Sequence, residues 1–275
     1  MRYTIPDTFD PERSERYVLN LRISLKGCSF ALYDPLSDGS YHYQEVAYNR
    51  KLTPIANLKE FFFDNSFLSL SYKKLQVITY SSLFTCVPSV LYEEKDKEKI
   101  TAFNFSEKPD KIVTQSLPQS KIQLIYGVNP EVYDFLHRSL SNPQFIHHCS
   151  PLISYFQGRS RMGNVKKMIV NPQEDSVDVL CFSQSELLLI NNFSCKDEED
   201  MIYYILYIWK HLQLNQLGDH LMITGKKNSR EILMERLKPY INHTLPFNIV
   251  PEYHLSGIDM KEIPFDLLSL SLCEL

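Results

Sequence analysis

Two short segments hold the side chains best suited to chemistry. His147-His148-Cys149 places three metal-binding side chains in a row, and Gly225-Lys226-Lys227-Asn228-Ser229 puts two lysines between an apolar run and a helix-forming stretch. The first segment invites a soft cation. Neighbours on an extended strand project to opposite faces, however, and no Cys-x-x-Cys or His-x-x-x-His partner accompanies it, so no metal site is predicted. The second invites an anion, because a helix N-terminus and two ammonium groups both favour negative charge. His211 and His220 flank a turn and read as exposed polar side chains. Six cysteines, Cys28, Cys86, Cys149, Cys181, Cys195 and Cys273, are scattered mostly through apolar segments and read as buried free thiols. A Gly-x-Ser-x-Gly elbow, a Walker A run and a Gly-x-Gly-x-x-Gly turn are all missing, which leaves hydrolase and kinase chemistry without a motif.

The elements that must position these groups follow from hydrophobic periodicity. Apolar and polar residues alternate over 17–24, Lys26-Gly27 turns the chain, 28–34 returns, and a second turn at 35–39 leads to a third strand over 41–48. Thr53-Pro54 supplies a cap and first-turn pair for a helix whose apolar positions Ile55, Leu58, Phe62 and Phe63 recur towards Leu70, ahead of a fourth strand over 76–80. The same order returns about 145 residues later. Strands are expected over 165–170, 177–182 and 186–191, then a helix capped by Ser194 with an acidic first turn, and a strand over 221–224. A further helix is expected over 229–237. Between the copies, a strand over 121–127, a helix over 130–140, a short strand over 144–148 and a helical stretch around 152–157 complete the first half. The mixed charges of 92–99 read as a solvated helix end or surface loop. In 264–275, Leu268, Leu270 and Leu272 alternate with Ser269 and Ser271, which predicts a strand that pairs within either half or offers its edge to a partner. The polar segment 159–164 divides the chain into lobes 1–160 and 161–275.

Composition narrows the function classes. At 275 residues the chain has room for roughly two domains of about 150 residues, and 44% apolar residues suffice for a core. Its 8 glycines fall under half the usual frequency of about 7%, which is poor material for loops that cradle phosphate. With 29 Lys and Arg against 33 Asp and Glu, the net charge of -4 provides no basic field for nucleic acid. The longest apolar run, 201–209, is far short of the ~20 residues that span a bilayer, and the opening residues contain no apolar leader, so a cytoplasmic location is expected. Tyr203, Tyr204, Tyr207 and Trp209 crowd one helix; most should be core, and any left exposed would make a protein-binding surface.

The repeated β-β-β-α-β order resembles the ribonuclease H-like lobes that are paired in the actin-like ATPase fold. Residues 19–34 and 177–193, supported by 83–88 and 200–207, resemble an uncharacterised bacterial family assigned that fold. Looser similarity extends to actin-like proteins of pilus assembly and type II secretion. The resemblance implies an α/β chain with α+β mixed sheets in duplicated lobes. Active members carry Asp-x-Gly in the first hairpin, where the aspartate organises Mg²⁺. Here the tripeptide is Leu25-Lys26-Gly27, and leucine cannot coordinate a hard cation, although Gly27 and Ser29 could still line a cleft. The second hairpin, Asn171-Pro172-Gln173-Glu174-Asp175, has no glycine, and the paired glycines of the adenosine element are reduced to Gly225-Lys226.

The resemblance thus implies the fold and argues against efficient ATP hydrolysis. No catalytic residue, cofactor or metal is expected. The expected function is non-catalytic, through an unidentified protein partner and without nucleic acid. The alternative is a divergent nucleotide-binding protein or slow ATPase that takes ATP and Mg²⁺ around Gly27, Ser29, Gly225 and Lys226. A small-molecule or sugar kinase is a weaker third reading, since no glycine-bearing turn holds a catalytic aspartate. A shared fold does not itself supply a function.

Overall fold

Val18, Leu19, Leu21 and Ile23 interleave with Asn20 and Arg22, and that alternation becomes the central strand of a sheet. A computed structural model describes residues 9–24, 26–161, 163–247, 260, 263–273 and 275. It begins with β1 (Val18–Ile23), β2 (Gly27–Tyr33) and β3 (His42–Ala47), then α1 (Pro54–Asp64), which Thr53 caps through the Ala56 amide and Pro54 starts. β4 (Lys74–Thr79), β5 (Phe84–Pro88), α2 (Lys97–Asn104), β6 (Lys111–Leu117) and β7 (Ile122–Val128) follow, then α3 (Pro130–Ser139), β8 (Gln144–His147) and α4 (Cys149–Arg159). The later elements are β9 (Lys167–Pro172), β10 (Ser176–Ser183), β11 (Glu186–Ser194), α5 (Glu198–His211), β12 (His220–Ile223), α6 (Lys227–Leu237), β13 (His243–Pro246) and α7 (Phe265–Leu270).

These strands build two five-stranded mixed sheets of the same design. The first runs β3-β2-β1-β4-β8 and the second β11-β10-β9-β12-β13. In each, three antiparallel strands come first and the last two run parallel to the central one. A third, antiparallel sheet, β5-β7-β6, stands between β4 and α3 in the chain.

Three apolar clusters bind the layers. α1 and α3 cover one face of the first sheet, with Leu58, Phe61 and Leu136 against Leu19, Leu21 and Phe30. α5 and α6 cover one face of the second, with Ile205, Ile208 and Leu233 against Val179 and Cys181. Between the two sheets lie α4 and α7, whose Leu152, Phe156, Leu267 and Leu268 share one cluster with Val18 and Ile78 of the first sheet and Ile169 and Leu180 of the second. The inner faces of both sheets therefore close on a common core.

Two expectations are corrected. The strand expected over 264–275 is the helix α7, whose six residues are all buried. A helix covered on every side has no exposed face to reveal its period, and the serine hydroxyls of Ser269 and Ser271 turn back onto the carbonyls of Asp266 and Leu268 instead of facing water. The carbonyl of Leu275 then accepts from Lys74 and Gln76 of β4. Ser194 is the last residue of β11, and Asp197 caps α5 by accepting from the Asp200 amide. Asp197 is as good a cap as serine, so the acidic cluster hides which residue takes the role.

Candidate functional site

The groups singled out in the sequence meet along the seam between the two sheets. Gly27 opens β2, and a Cβ there would lie 2.5 Å from the Val46 carbonyl oxygen, so glycine permits β3 to approach. Ser29, buried, stands opposite Glu45 in the β2–β3 register, which puts both side chains on one face. Gly225 follows β12 at φ +87°, where a Cβ would lie 3.1 Å from Pro172 Cγ. Its neighbour Lys226 reaches across from the second sheet to the Glu45 carboxylate at 3.3 Å. Lys226 thus meets Glu45, the register partner of Ser29, whereas Gly27 and Gly225 serve close backbone packing. Leu25 lies outside the described residues.

Further along the seam, the two hairpin turns are joined by charge. Lys26 of the first turn sits 2.9 Å from Glu174 and 2.7 Å from Asp175 of the second, and these hydrogen-bonded carboxylates raise its pKa. All three side chains are exposed, so these pairs fasten the turns weakly. Deeper, Arg22 of β1 donates through Nε to both carboxylate oxygens of Asp266 on α7, at 2.8 and 3.0 Å, and through a terminal nitrogen to Gln173 Oε1 at 3.1 Å. Burial opposes the Arg22 charge, but the Asp266 carboxylate outweighs it and the guanidinium pKa rises.

Beneath the turns lies a polar cluster in which Asp178, His148 and Asn171 are buried and Gln173 and Asn192 half-buried. Asp178 of β10 accepts from His148 Nε2 at 3.1 Å, Asn171 Nδ2 at 3.0 Å, Asn192 Nδ2 at 2.7 Å and Gln173 Nε2 at 3.4 Å. Burial alone would raise its pKa, yet His148 and the amide donors hold the carboxyl below its ordinary value. Tyr80, which follows β4, shares a 2.8 Å hydrogen bond with Ser176 Oγ on β10. His148 Nδ1 accepts from the Ser81 amide, which leaves the proton on Nε2, facing Asp178.

His147, His148 and Cys149 do not alternate across a strand. His147 ends β8, while His148 already has helical backbone angles as the cap of α4, so the two rings lie 4.3 Å apart, centroid to centroid. Their potential ligand atoms lie within 4.8 Å of one another. Each imidazole nitrogen is nonetheless committed: His147 Nδ1 accepts from the Cys149 amide, His147 Nε2 faces the Ser81 carbonyl, and His148 is held as above. Burial, then the neighbouring His148, lowers the His147 pKa well below the usual value. Burial likewise drives the Cys149 thiol far up, which keeps it protonated and unreactive. Cys149 Sγ and Asp178 both approach the same nitrogen of His148, at 3.4 and 3.1 Å, so no Cys-His-Asp relay is formed. Elsewhere, His211 is exposed as expected, but His220 is half-buried against the ring of His243, because it begins β12 rather than lying in the turn.

Asp178, Asn171, Gln173 and Asn192 were not singled out by sequence. One signal pointed to Asp178: it is the sole charge within Val177-Asp-Val-Leu-Cys-Phe182, a run buried on both faces. A carboxylate in such a strand requires partners.

A family model described as a protein of unknown function, DUF3822, matches residues 6–244. Among solved structures, the chain is similar to a Bacteroides thetaiotaomicron protein described as having an actin-like ATPase fold and unknown function. Identity is 33%, with 97% of this chain and 100% of that one covered, at a TM-score of 0.85. It is also similar to a chain of a PilM–PilN type IV pilus biogenesis complex, at 11% identity and a TM-score of 0.60, covering 93% of this chain and 97% of that one. No match was found among curated proteins. The first likeness shows the actin-like ATPase fold that the repeated strand order implied; the second shows the fold alone.

Proposed function

The chain belongs to the DUF3822 family of unknown function and has an actin-like ATPase fold, and from that premise we propose that it works without catalysis, by binding another protein. The observation that carries this reading is the charged closure between the hairpin turns. Lys26, in the turn where catalytic relatives hold a magnesium-binding aspartate, faces Glu174 and Asp175 from the opposite turn. Two carboxylates there repel a phosphate chain that would need the same ground. The loss of Asp-x-Gly from both turns supports the same conclusion. In this reading, residues 1–160 and 161–275 are two lobes that arose by duplication, and the matching strand orders of the two sheets support that division.

The PilM relative was solved within a protein complex, which supports an adaptor role here. No helix among the described residues is long and apolar enough to cross a membrane. The experiment is a phosphate-release assay on the purified chain with ATP and GTP in the presence of Mg²⁺. The reading predicts release at the rate of the blank, and steady turnover that disappears when Lys226 is replaced would overturn it.

A second reading, a divergent nucleotide-binding protein or slow ATPase, draws on one observation. Lys226 of the second sheet reaches the carboxylate of Glu45, the residue opposite Ser29 in the β2–β3 register. Opening that exposed pair would free an ammonium at the start of α6, a helix whose first turn holds no acidic residue. In that case Gly27, Ser29, Gly225 and Lys226 would surround the ligand.

A further inference from the structure

α5 leaves part of its aromatic stripe in water. Trp209 is buried and Tyr204 stacks on Phe193 of β11 at 4.6 Å, but Tyr203 is 61% exposed and Tyr207 52%. The Tyr203 and Tyr207 rings stack at 6.1 Å, and Tyr207 stacks in turn on His211 at 6.1 Å. One turn before Tyr203 lies Glu199, exposed and paired with Arg236 of α6. Residues four apart lie one above another on a helix. Glu199, Tyr203, Tyr207 and His211 therefore make a single row about 18 Å long.

The order acid, tyrosine, tyrosine, imidazole is complementary to its own reversal. We propose that this row is the contact surface for a second copy of the chain, with the two α5 helices packed antiparallel across a two-fold axis. Tyr203 then rests on Tyr207 of the partner subunit, and Glu199 meets His211 of the partner subunit. The acidic first turn, Glu198, Glu199 and Asp200, faces the partner's basic last turn, and opposite helix-dipole ends lie side by side. A parallel pairing would set acid against acid, so the charge pattern selects the antiparallel one. An isologous contact requires one patch that complements itself, and this row satisfies that condition.

The two tyrosines leave roughly 200 Å² of ring surface in water on each copy. A standard interface buries about 800 Å² per partner, so the association is weak. The inference uses none of the cleft residues and holds whatever the cleft binds.

Sedimentation equilibrium of the full chain, from about 10 μM to 1 mM, tests it. The average mass is expected to climb from one copy towards two. Replacing both Tyr203 and Tyr207 by alanine should shift the midpoint at least tenfold upward, as should Glu199→Lys. Adding His211→Glu to Glu199→Lys places an opposite-charge pair at that contact and should return the midpoint close to wild type. All these positions are exposed, and thermal unfolding of each variant verifies that it is folded. A mass that stays at one copy throughout overturns the proposal and leaves the row to a different protein. A dimer indifferent to the tyrosine and charge variants overturns it as well, since the contact then lies on another face.

Discussion

Asp178→Ala withdraws one buried acceptor from the four side-chain donors that converge on it. Removing one partner of a buried pair costs about 3–5 kcal/mol, because the groups left behind stay out of water without partners. Asn171 and His148 are themselves buried and cannot turn to solvent, so the cost should not be relieved by local rearrangement. For a chain of this size each kcal/mol moves the thermal midpoint by about 2–4 °C. The expected fall is therefore about 10 °C. Asp178→Asn keeps the shape and one acceptor oxygen and should fall about half as far. Asp175→Ala, which removes only an exposed partner of Lys26, should change stability by less than about 1 kcal/mol. Differential scanning calorimetry on the three variants reads these shifts. If Asp178→Ala melted within about 2 °C of the parent, as Asp175→Ala should, the buried cluster would not be what fastens the sheets together, and the reasoning would fail.

Two further outcomes follow from the same physics. His42, His147 and His220 all titrate below the ordinary value because burial disfavours their charged forms. The unfolded chain therefore takes up more protons than the folded one as pH drops below about 6.5, so stability must decline from pH 7 towards pH 5, by up to about 1.4 kcal/mol per pH unit for the fully buried His147 and by much less for the solvent-screened His42 and His220. Asp178 adds a second loss at lower pH: its folded pKa lies below its unfolded one, so its contribution is complete above about pH 4 and fades as pH falls through the folded value. Urea unfolding at several pH values measures both, and His147→Gln should flatten the upper slope. Gly27→Ala should cost about 1–3 kcal/mol, because the added methyl meets the Val46 carbonyl backbone and only movement of β3 can relieve it; a midpoint unchanged in urea would refute that.

Most of the architecture was legible because local signals and burial agree. The alternation of β1 and β2, the Thr53-Pro54 start of α1 and the Pro130 start of α3 each place a boundary that the packing keeps. Where they disagree, sequence reading fails. β6, Lys-Ile-Val-Thr-Gln-Ser-Leu, is half-exposed along most of its length and carries no clean alternation, so of the third sheet the central strand β7 was expected but β6 was not. α7 is buried all round, and its Leu and Ser residues mimic a strand. The candidate site was legible only where glycine or lysine marked it. At its buried centre, Asn171 and Asn192 flank Asp178 on neighbouring strands of one sheet, but His148 follows β8 of the other, and only the closure of the two sheets brings it to Asp178.

The most direct test of the central claim, a cleft closed by its own charges, is calorimetric titration of the purified chain with ATP and GTP, with and without Mg²⁺, alongside a thermal-shift measurement. The account predicts no binding heat and an unmoved midpoint at millimolar nucleotide. Saturable heat, with the stabilisation of about 2.7 kcal/mol that a ligand gives at 100 times its dissociation constant, would contradict it.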